Sequence, residues 1–262
     1  KKPDAELPGV LYGAAREMGG LEAGLESQDT VFYRDNENLT GLDRANGQRL
    51  RAVPELALPM RALWGFSRPS VSVDYTRYEL EDYTLGDESI DRTVPIAEWD
   101  NGLYFDRQSS LFDVPYNQTL EPRLYYAWAD AEADQNDIPD FDTDLQAFRF
   151  DQLFQPDRFT GGDRVGDTKQ LTVAVTSRFN DLVTGAERAR FSIGQVQYFQ
   201  DREVTLFGEG AGTRSRSPLA GEMVLAPLDT LEIRSSGLWD PDTGETEEGR
   251  SQLIYHSEDY RY

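Results

Sequence analysis

The 262-residue chain carries 48 acidic against 26 basic side chains, a formal charge of −22, which argues against binding nucleic acid through its phosphates. It has no cysteine and a single histidine, His256, so disulfide and thiolate sites are excluded and a histidine-based catalytic or metal centre is not expected. No apolar run is long enough for a helical membrane span, although this leaves β-barrels open, because their strands are short and alternate in polarity.

The length suits one large all-β unit or two small domains. Lys1-Lys2-Pro3 leads into no apolar signal-peptide core, which for an exported protein points to a piece without the precursor's start. Period-2 alternation then predicts strands at 9–17, 20–33 and 48–62. In the last, Arg49, Arg51, Val53, Glu55 and Ala57 alternate with Leu50, Ala52, Pro54, Leu56 and Leu58, so one face is polar and the other apolar. Strands follow at 70–80 and 92–105. Pro95 and the turn-like Asp100-Asn101-Gly102 argue against one continuous strand in 92–105 and point to a kink or a local hairpin.

In 116–128, Asn117, Thr119, Glu121 and Arg123 alternate with Leu120, Pro122, Leu124, Tyr126 and Trp128. In 170–179, Leu171, Val173, Val175 and Phe179 alternate with Gln170, Thr172, Thr176 and Arg178. The pattern falters in 190–200, where Phe191 and Ile193 share a face with Gln195 and Gln197 while Val196 and Tyr198 lie opposite. A bulge at Gly194 would switch the faces. Strands at 219–226, 230–239 and 251–262 bring the total to about eleven.

The connections alternate in length. Short ones fall at Met18-Gly19, Ser67-Arg68-Pro69, 106–115, 180–189 and Pro227-Leu228-Asp229; long polar ones span 34–47, 81–91, 129–169, 201–218 and 240–250. In an up-and-down meander every second link lies on one rim, and short turns facing long loops is the asymmetry of outer-membrane barrels. Tyr78, Tyr104, Phe105, Tyr126, Trp128, Phe179, Tyr198, Phe199 and Trp239 sit near strand ends, as in an aromatic girdle. The fold class is therefore all-β, an antiparallel up-and-down meander forming part of an outer-membrane barrel. A porin or other channel, and a soluble secreted β-sandwich that binds a carbohydrate or protein, are the alternatives.

No enzyme is expected. Asp130, Glu132, Asp134, Asp137, Asp140, Asp142 and Asp144 crowd one segment, but Asp140-Phe141-Asp142-Thr143-Asp144 lacks the glycine and closing glutamate of a calcium loop. No metal or cofactor is assigned. Asp157-Arg158 and Gly161-Gly162-Asp163-Arg164 read as a tight turn pinned by Asp–Arg pairs, with Asp163 and Arg164 as loop-pinning residues. Glu121 and Arg123 share a face with Thr119 and, on the next strand, Thr176 and Arg178; opposite charges on a wet inner wall explain them, since buried charges must be paired. The glycine-rich 208–212 stretch lacks the lysine and strand-to-helix setting of a phosphate loop.

Asn117-Gln118-Thr119-Leu120-Glu121-Pro122-Arg123-Leu124-Tyr125-Tyr126 resembles the T-L-E-P-R strand of the LptD family of LPS-assembly, or organic solvent tolerance, proteins. Gly161-Gly162-Asp163-Arg164, Val175-Thr176-Ser177-Arg178 and Gly194-Gln195-Val196-Gln197-Tyr198-Phe199 follow in the family's order, with Pro54-Glu55-Leu56 and Asp91-Arg92-Thr93-Val94-Pro95 upstream. The resemblance implies an internal part of a barrel of about twenty-six strands, with the periplasmic N-terminal domain and the lateral gate outside this chain. It implies a cell outer membrane location and lipopolysaccharide as cargo. The expected partners are the lipoprotein LptE as a plug in the lumen and other Lpt components through the N-terminal domain. Leu120, Leu124, Tyr126, Trp128, Leu171, Val173, Val175 and Phe179 are expected to face lipid. Glu121, Arg123, Thr176 and Arg178 are expected to face the lumen, toward the plug or passing sugar head groups.

Overall fold

The computed structural model describes residues 5–7, 12–34, 39–83, 86–111, 114–131, 135 and 137–255; His256, Glu132 and Asp134 lie outside the described residues. Its strands are β1 (Ala5–Leu7), β2 (Tyr12–Met18), β3 (Leu21–Tyr33), β4 (Asn46–Ala57), β5 (Met60–Ala62), β6 (Gly65–Glu81), β7 (Ser89–Leu103), β8 (Phe105–Leu111), β9 (Val114–Ala129), β10 (Thr168–Asp181), β11 (Glu187–Tyr198), β12 (Leu219–Leu228), β13 (Leu231–Trp239) and β14 (Thr246–Tyr255). All belong to one sheet, in the order β1-β3-β4-β6-β7-β9-β10-β11-β12-β13-β14. β2 joins β1 along β3, β5 extends β4 along β6, and β8 extends β7 along β9. Every strand pair is antiparallel, and among the described residues β14 pairs with β13 alone. The sheet is an open meander, a partial barrel; a sandwich, which needs a second facing sheet, is not what forms.

Prolines account for the interruptions. Pro59 cannot donate to the ladder, and β4 stops at Ala57 before β5 resumes at Met60. Pro122 stands opposite the break between β7 and β8, where pairing jumps from Gly102↔Arg123 to Phe105↔Leu120 without a change of register. Pro95, by contrast, does not break β7. Its missing N–H points past the last β9 pair, Ile96↔Ala129, and its carbonyl accepts from Asp130 N (3.1 Å). Nor is Asp100-Asn101-Gly102 a turn: all three residues pair on both sides. A Cβ on Gly102 would lie 2.2 Å from Phe66 Cε1, so the glycine is there to admit the Phe66 ring.

The rims are asymmetric as the link lengths predict. The strand ends flanking the links β2–β3, β5–β6, β8–β9, β10–β11 and β12–β13 form one rim, and those flanking the longer links β3–β4, β6–β7, β9–β10, β11–β12 and β13–β14 the other. One predicted turn is misplaced. Ser67-Arg68-Pro69 runs inside β6, paired with Asn101, Asp100 and Trp99, and the chain reverses at 63–64 instead. Gly194 carries no bulge either; it pairs with Ala174 in a continuous register.

One face of the sheet is bare and apolar, with Leu25, Leu50, Leu56, Val71, Trp99, Leu120, Leu124, Val173 and Ile193 all exposed. The other, here the inner face, is covered towards the long-loop rim by the 130–167 segment. That segment supplies Ile138 and Phe141 to a cluster with Phe32, Tyr78 and Leu80. It also supplies Leu153, Phe148, Phe150 and Phe154 to one with Val196 and Leu238, and Val165 to one with Val94 and Ala129. This cover explains the faltering alternation in β11. Near the loops Val196 meets a packed segment on the inner face, so that face turns apolar without any change of register.

Candidate functional site

The structure brings the four wall residues onto the inner face of β9 and β10, with Glu121 opposite Thr176 and Arg123 opposite Ala174. Arg178 Nε donates to both Glu121 carboxylate oxygens (3.1 and 3.3 Å), and its Nη1 donates to Glu187 Oε2 (2.7 Å). Thr119 Oγ1 donates to Glu121 (2.7 Å), and Thr176 Oγ1 to Ser192 Oγ (3.0 Å). Arg123 grips Asp100 through two bonds of 2.8 and 2.7 Å, and its guanidinium lies 3.7 Å from the centre of the Phe154 ring. Charged-group pairing and stacking of this kind fix long side chains in place. Of these groups, Glu121, Arg123, Phe154, Thr176, Arg178 and Ser192 line a cleft of about 560 Å³ beneath the loop helix Asp151–Phe154.

A second, largely buried set of charges lies nearer the long-loop rim. Arg49 on β4 is inaccessible to solvent and donates to both oxygens of Asp142 (2.7 and 2.7 Å) and to Asp163 Oδ1 (2.8 Å). Tyr78 on β6 donates to Asp163 (3.1 Å), and the backbone N–H groups of Phe141 and Asp142 donate to its other oxygen, each at 2.8 Å. Arg92 on β7 donates to the carbonyls of Gly162 and Asp163, both at 2.8 Å. Three wall strands thus hold one loop hairpin. Burial pushes the Asp163 carboxyl up to about 6, against the opposing pull of Arg49. Burial also acts upward on Asp142, but the hydrogen bonds and charge of Arg49 outweigh it and hold that carboxyl below the usual range.

The glycines of Gly161-Gly162-Asp163-Arg164 are required by this packing. Gly161 has φ +70 and a Cβ there would come 2.3 Å from Asp142 Oδ1, while a Cβ on Gly162 would meet Arg49 Cζ at 2.9 Å. Positive φ and close approach are what glycine permits. The expected Asp–Arg pairing inside the turn is corrected. Arg164 donates to the carbonyls of Asp163 (3.1 Å) and Ile138 (2.9 Å), and Arg158 pairs with Asp167 (2.9 Å), not with Asp157. The acidic partner of the turn, Asp163, is matched by Arg49 from the wall, since a buried carboxylate requires a paired cation. Asp142 and Asp140, in the acidic stretch, are engaged by Arg49 and by Thr143 N (3.2 Å).

Of the residues expected to face lipid, Leu120, Leu124 and Val173 are exposed on the bare face, and Tyr126, Trp128, Leu171, Val175 and Phe179 are half-buried there among neighbouring side chains. Two girdle aromatics are reassigned. Tyr78 is completely buried on the inner face, and Tyr198 lies on that face beneath the Arg202 guanidinium, 3.7 Å from its ring centre. Tyr78 carries its hydroxyl to Gly162 and Asp163 of the loop and Tyr198 packs its ring against the cluster around Leu153, so a strand-end aromatic is as well placed under a packed loop as at a membrane interface. Sequence reasoning set Arg49 on a polar strand face but gave it no partner.

Comparison with known proteins now decides the family. The sequence profile described as LptD, LPS transport system D, matches residues 1–262. The chain belongs to the LptD family. It is 80% identical over 261 residues to the LPS-assembly protein LptD of Marinobacter nauticus, covering 100% of this chain and 33% of that protein. It is 48% identical to LptD of Hahella chejuensis, covering 99% of this chain and 33% of the relative. For LptD of Pseudomonas syringae pv. tomato the identity is 41%, over 86% of this chain and 26% of the relative. The chain therefore spans about a third of the length of these LptD relatives.

Proposed function

We propose that this chain is a stretch of wall, with its lumenal loop cover, in the outer-membrane translocon that inserts lipopolysaccharide into the outer leaflet. The observation that carries the reading is the two-sidedness of one sheet: a bare apolar face suited to lipid, and a charged face on which a long loop is fastened. The role is non-catalytic. Glu121, Arg123, Thr176 and Arg178 face the lumen and offer charged and hydroxyl groups to the LptE plug or to sugar head groups in transit. Asp163 and Arg164 keep the 130–167 loop folded inward. Other Lpt components join through the periplasmic domain found elsewhere in the full-length protein. The location is the cell outer membrane.

The test uses the full-length protein in cells depleted of their own LptD. Arg178→Glu places three carboxylates together and is expected to lower surface lipopolysaccharide and raise permeability to large antibiotics by more than any accompanying fall in folded barrel accounts for. The exchange Glu121→Arg with Arg178→Glu should recover most of the loss. Normal surface lipopolysaccharide in the single variant would remove these residues from the transport path.

A further inference from the structure

Arg202 differs from the other arginines described above. Its guanidinium is stacked on Tyr198 and backed by Gly212, where a Cβ would approach Nε and Nη2 to 2.8 Å. The flat group is thus clamped from two sides. Among the described residues no carboxylate lies within ion-pair distance of it and no acceptor receives its hydrogen bonds, and Nη1 is buried unpaired. Burial lowers its affinity for its proton. An arginine held rigidly without a protein acceptor, in a chain with nearly twice as many acidic as basic residues, has donors suited to an anion from outside the chain, since leaving such a donor unpaired is costly.

The guanidinium lines a cleft of about 260 Å³ at the long-loop rim, between the 130–167 and 199–218 segments and the ends of β10 and β11. That is just below the range of drug-sized sites, about 300–1,000 Å³, and suits a single ring. Four glutamine amides, those of Gln146, Gln152, Gln155 and Gln170, contribute to the lining. Gln146 and Gln170 donate to the carbonyls of Phe159 (2.8 Å) and Gln155 (3.1 Å), which leaves their own carbonyl oxygens as acceptors. The side chains of Gln152 and Gln155 make no hydrogen bond among the described residues and offer both donors and acceptors. Phe148 contributes an aromatic surface. The other charges in the cleft are already satisfied: Arg158 by Asp167 (2.9 Å), and Asp157 by the N–H groups of Phe159 and Gly166 (3.1 Å each).

We infer that this cleft binds one sugar ring bearing an anionic substituent, with the carboxylate or phosphate on Arg202 and the hydroxyls on the glutamine amides. Hydroxyls need partners that both donate and accept, and a planar guanidinium matches a carboxylate or phosphate through two parallel bonds. The site is separate from the Glu121–Arg178 cleft, and its binding chemistry stands whether or not that cleft lies on a transport path.

The test is saturation-transfer NMR with titration on the full-length protein in detergent, using glucose, glucuronate, glucose 1-phosphate and inorganic phosphate. Glucuronate and glucose 1-phosphate should bind at least about tenfold more tightly than glucose, as one charge-assisted bidentate contact provides. Arg202→Gln should reduce that preference to within about twofold. Gln152→Ala should weaken all three sugars and leave phosphate unchanged, which keeps the test decisive if Arg202→Gln fails to fold. Equal binding of glucose and glucuronate overturns the proposal. So does inorganic phosphate binding as tightly as glucose 1-phosphate, or an anion preference that survives Arg202→Gln.

Discussion

Arg49 and Arg178 stand on the same face of one sheet, and each is paired with two carboxylates, Asp142 and Asp163 in one case and Glu121 and Glu187 in the other. Their surroundings differ. The Arg49 side chain has 0% exposure and the Arg178 side chain 33%, because the 130–167 segment closes over the first and leaves the second beside an open cleft. The same ion-pair chemistry therefore has two physical meanings. In the buried cluster every member depends on the others, since a lone buried charge has no water to turn to. In the open row, water and a second carboxylate can replace a lost partner.

Arg49→Met should separate the two regions most sharply. It leaves two carboxylates facing an apolar side chain under the loop, and breaking such a buried pair costs about 3–5 kcal/mol. Hydrogen exchange on the full-length protein should show residues 137–167 losing protection while β9 and β10 stay protected. Protection that survives in the loop would mean that its apolar anchors, Ile138, Phe141 and Leu153, hold it without the charges. Gly162→Ala tests the same cluster by volume. Its methyl must push the Arg49 guanidinium aside, with an overpacking cost of about 1–3 kcal/mol. A thermal shift equal to that of an alanine placed at Gly185, which has open space around it, would contradict the close approach, once the φ +72 strain at Gly185 is allowed for.

The two regions also differ in how far the sequence revealed them. The strands, the rims and the common face of Glu121, Arg123, Thr176 and Arg178 follow from a two-residue period, which is local and survives any tertiary arrangement. Arg49 was legible as a member of a polar face, and Gly161-Gly162-Asp163-Arg164 as a turn. Their meeting was not, because the partners lie 93 and 114 residues away and the contact exists only once the loop folds back. Tyr78 was misread for the same reason. A strand-end aromatic looks identical in sequence whether its hydroxyl reaches a membrane interface or a buried aspartate. The Pro95 and Asn101-Gly102 signals failed because neighbouring strands supplied an edge and an aromatic cover that no local rule contains.

A smaller effect is expected in the open row. Glu121→Leu removes the bonds from Arg178 and Thr119, but Arg178 keeps Glu187, and the cost should be about 1 kcal/mol. Leu124→Ala on the bare face, where Leu124 is already 48% exposed, should cost less. Folded barrel recovered from membranes should fall further for Glu121→Leu than for Leu124→Ala; equal yields would count against the assignment of the two faces.

The gentlest probe is pH, and its sign discriminates between two accounts of the buried cluster. Burial raises the Asp163 carboxyl from 3.8 to about 6. The docked loop therefore holds that proton more tightly than the undocked chain, and the resulting stability is full below the undocked value of 3.8 and fades as pH rises through about 6. Asp142 behaves oppositely. Its carboxyl is lowered, so its contribution is present above the ordinary value and fades only in stronger acid. Between pH 7.5 and 6 the first effect acts alone, and docking should tighten by about 0.4 kcal/mol, or roughly twofold in protection after correction for intrinsic exchange. Asp163→Asn should abolish the change. If protection instead stays constant over this interval, the donors on Asp163 outweigh its burial and the carboxylate is held ionised. Arg49 would then resemble Arg178 in its electrostatics and differ from it only in access to water.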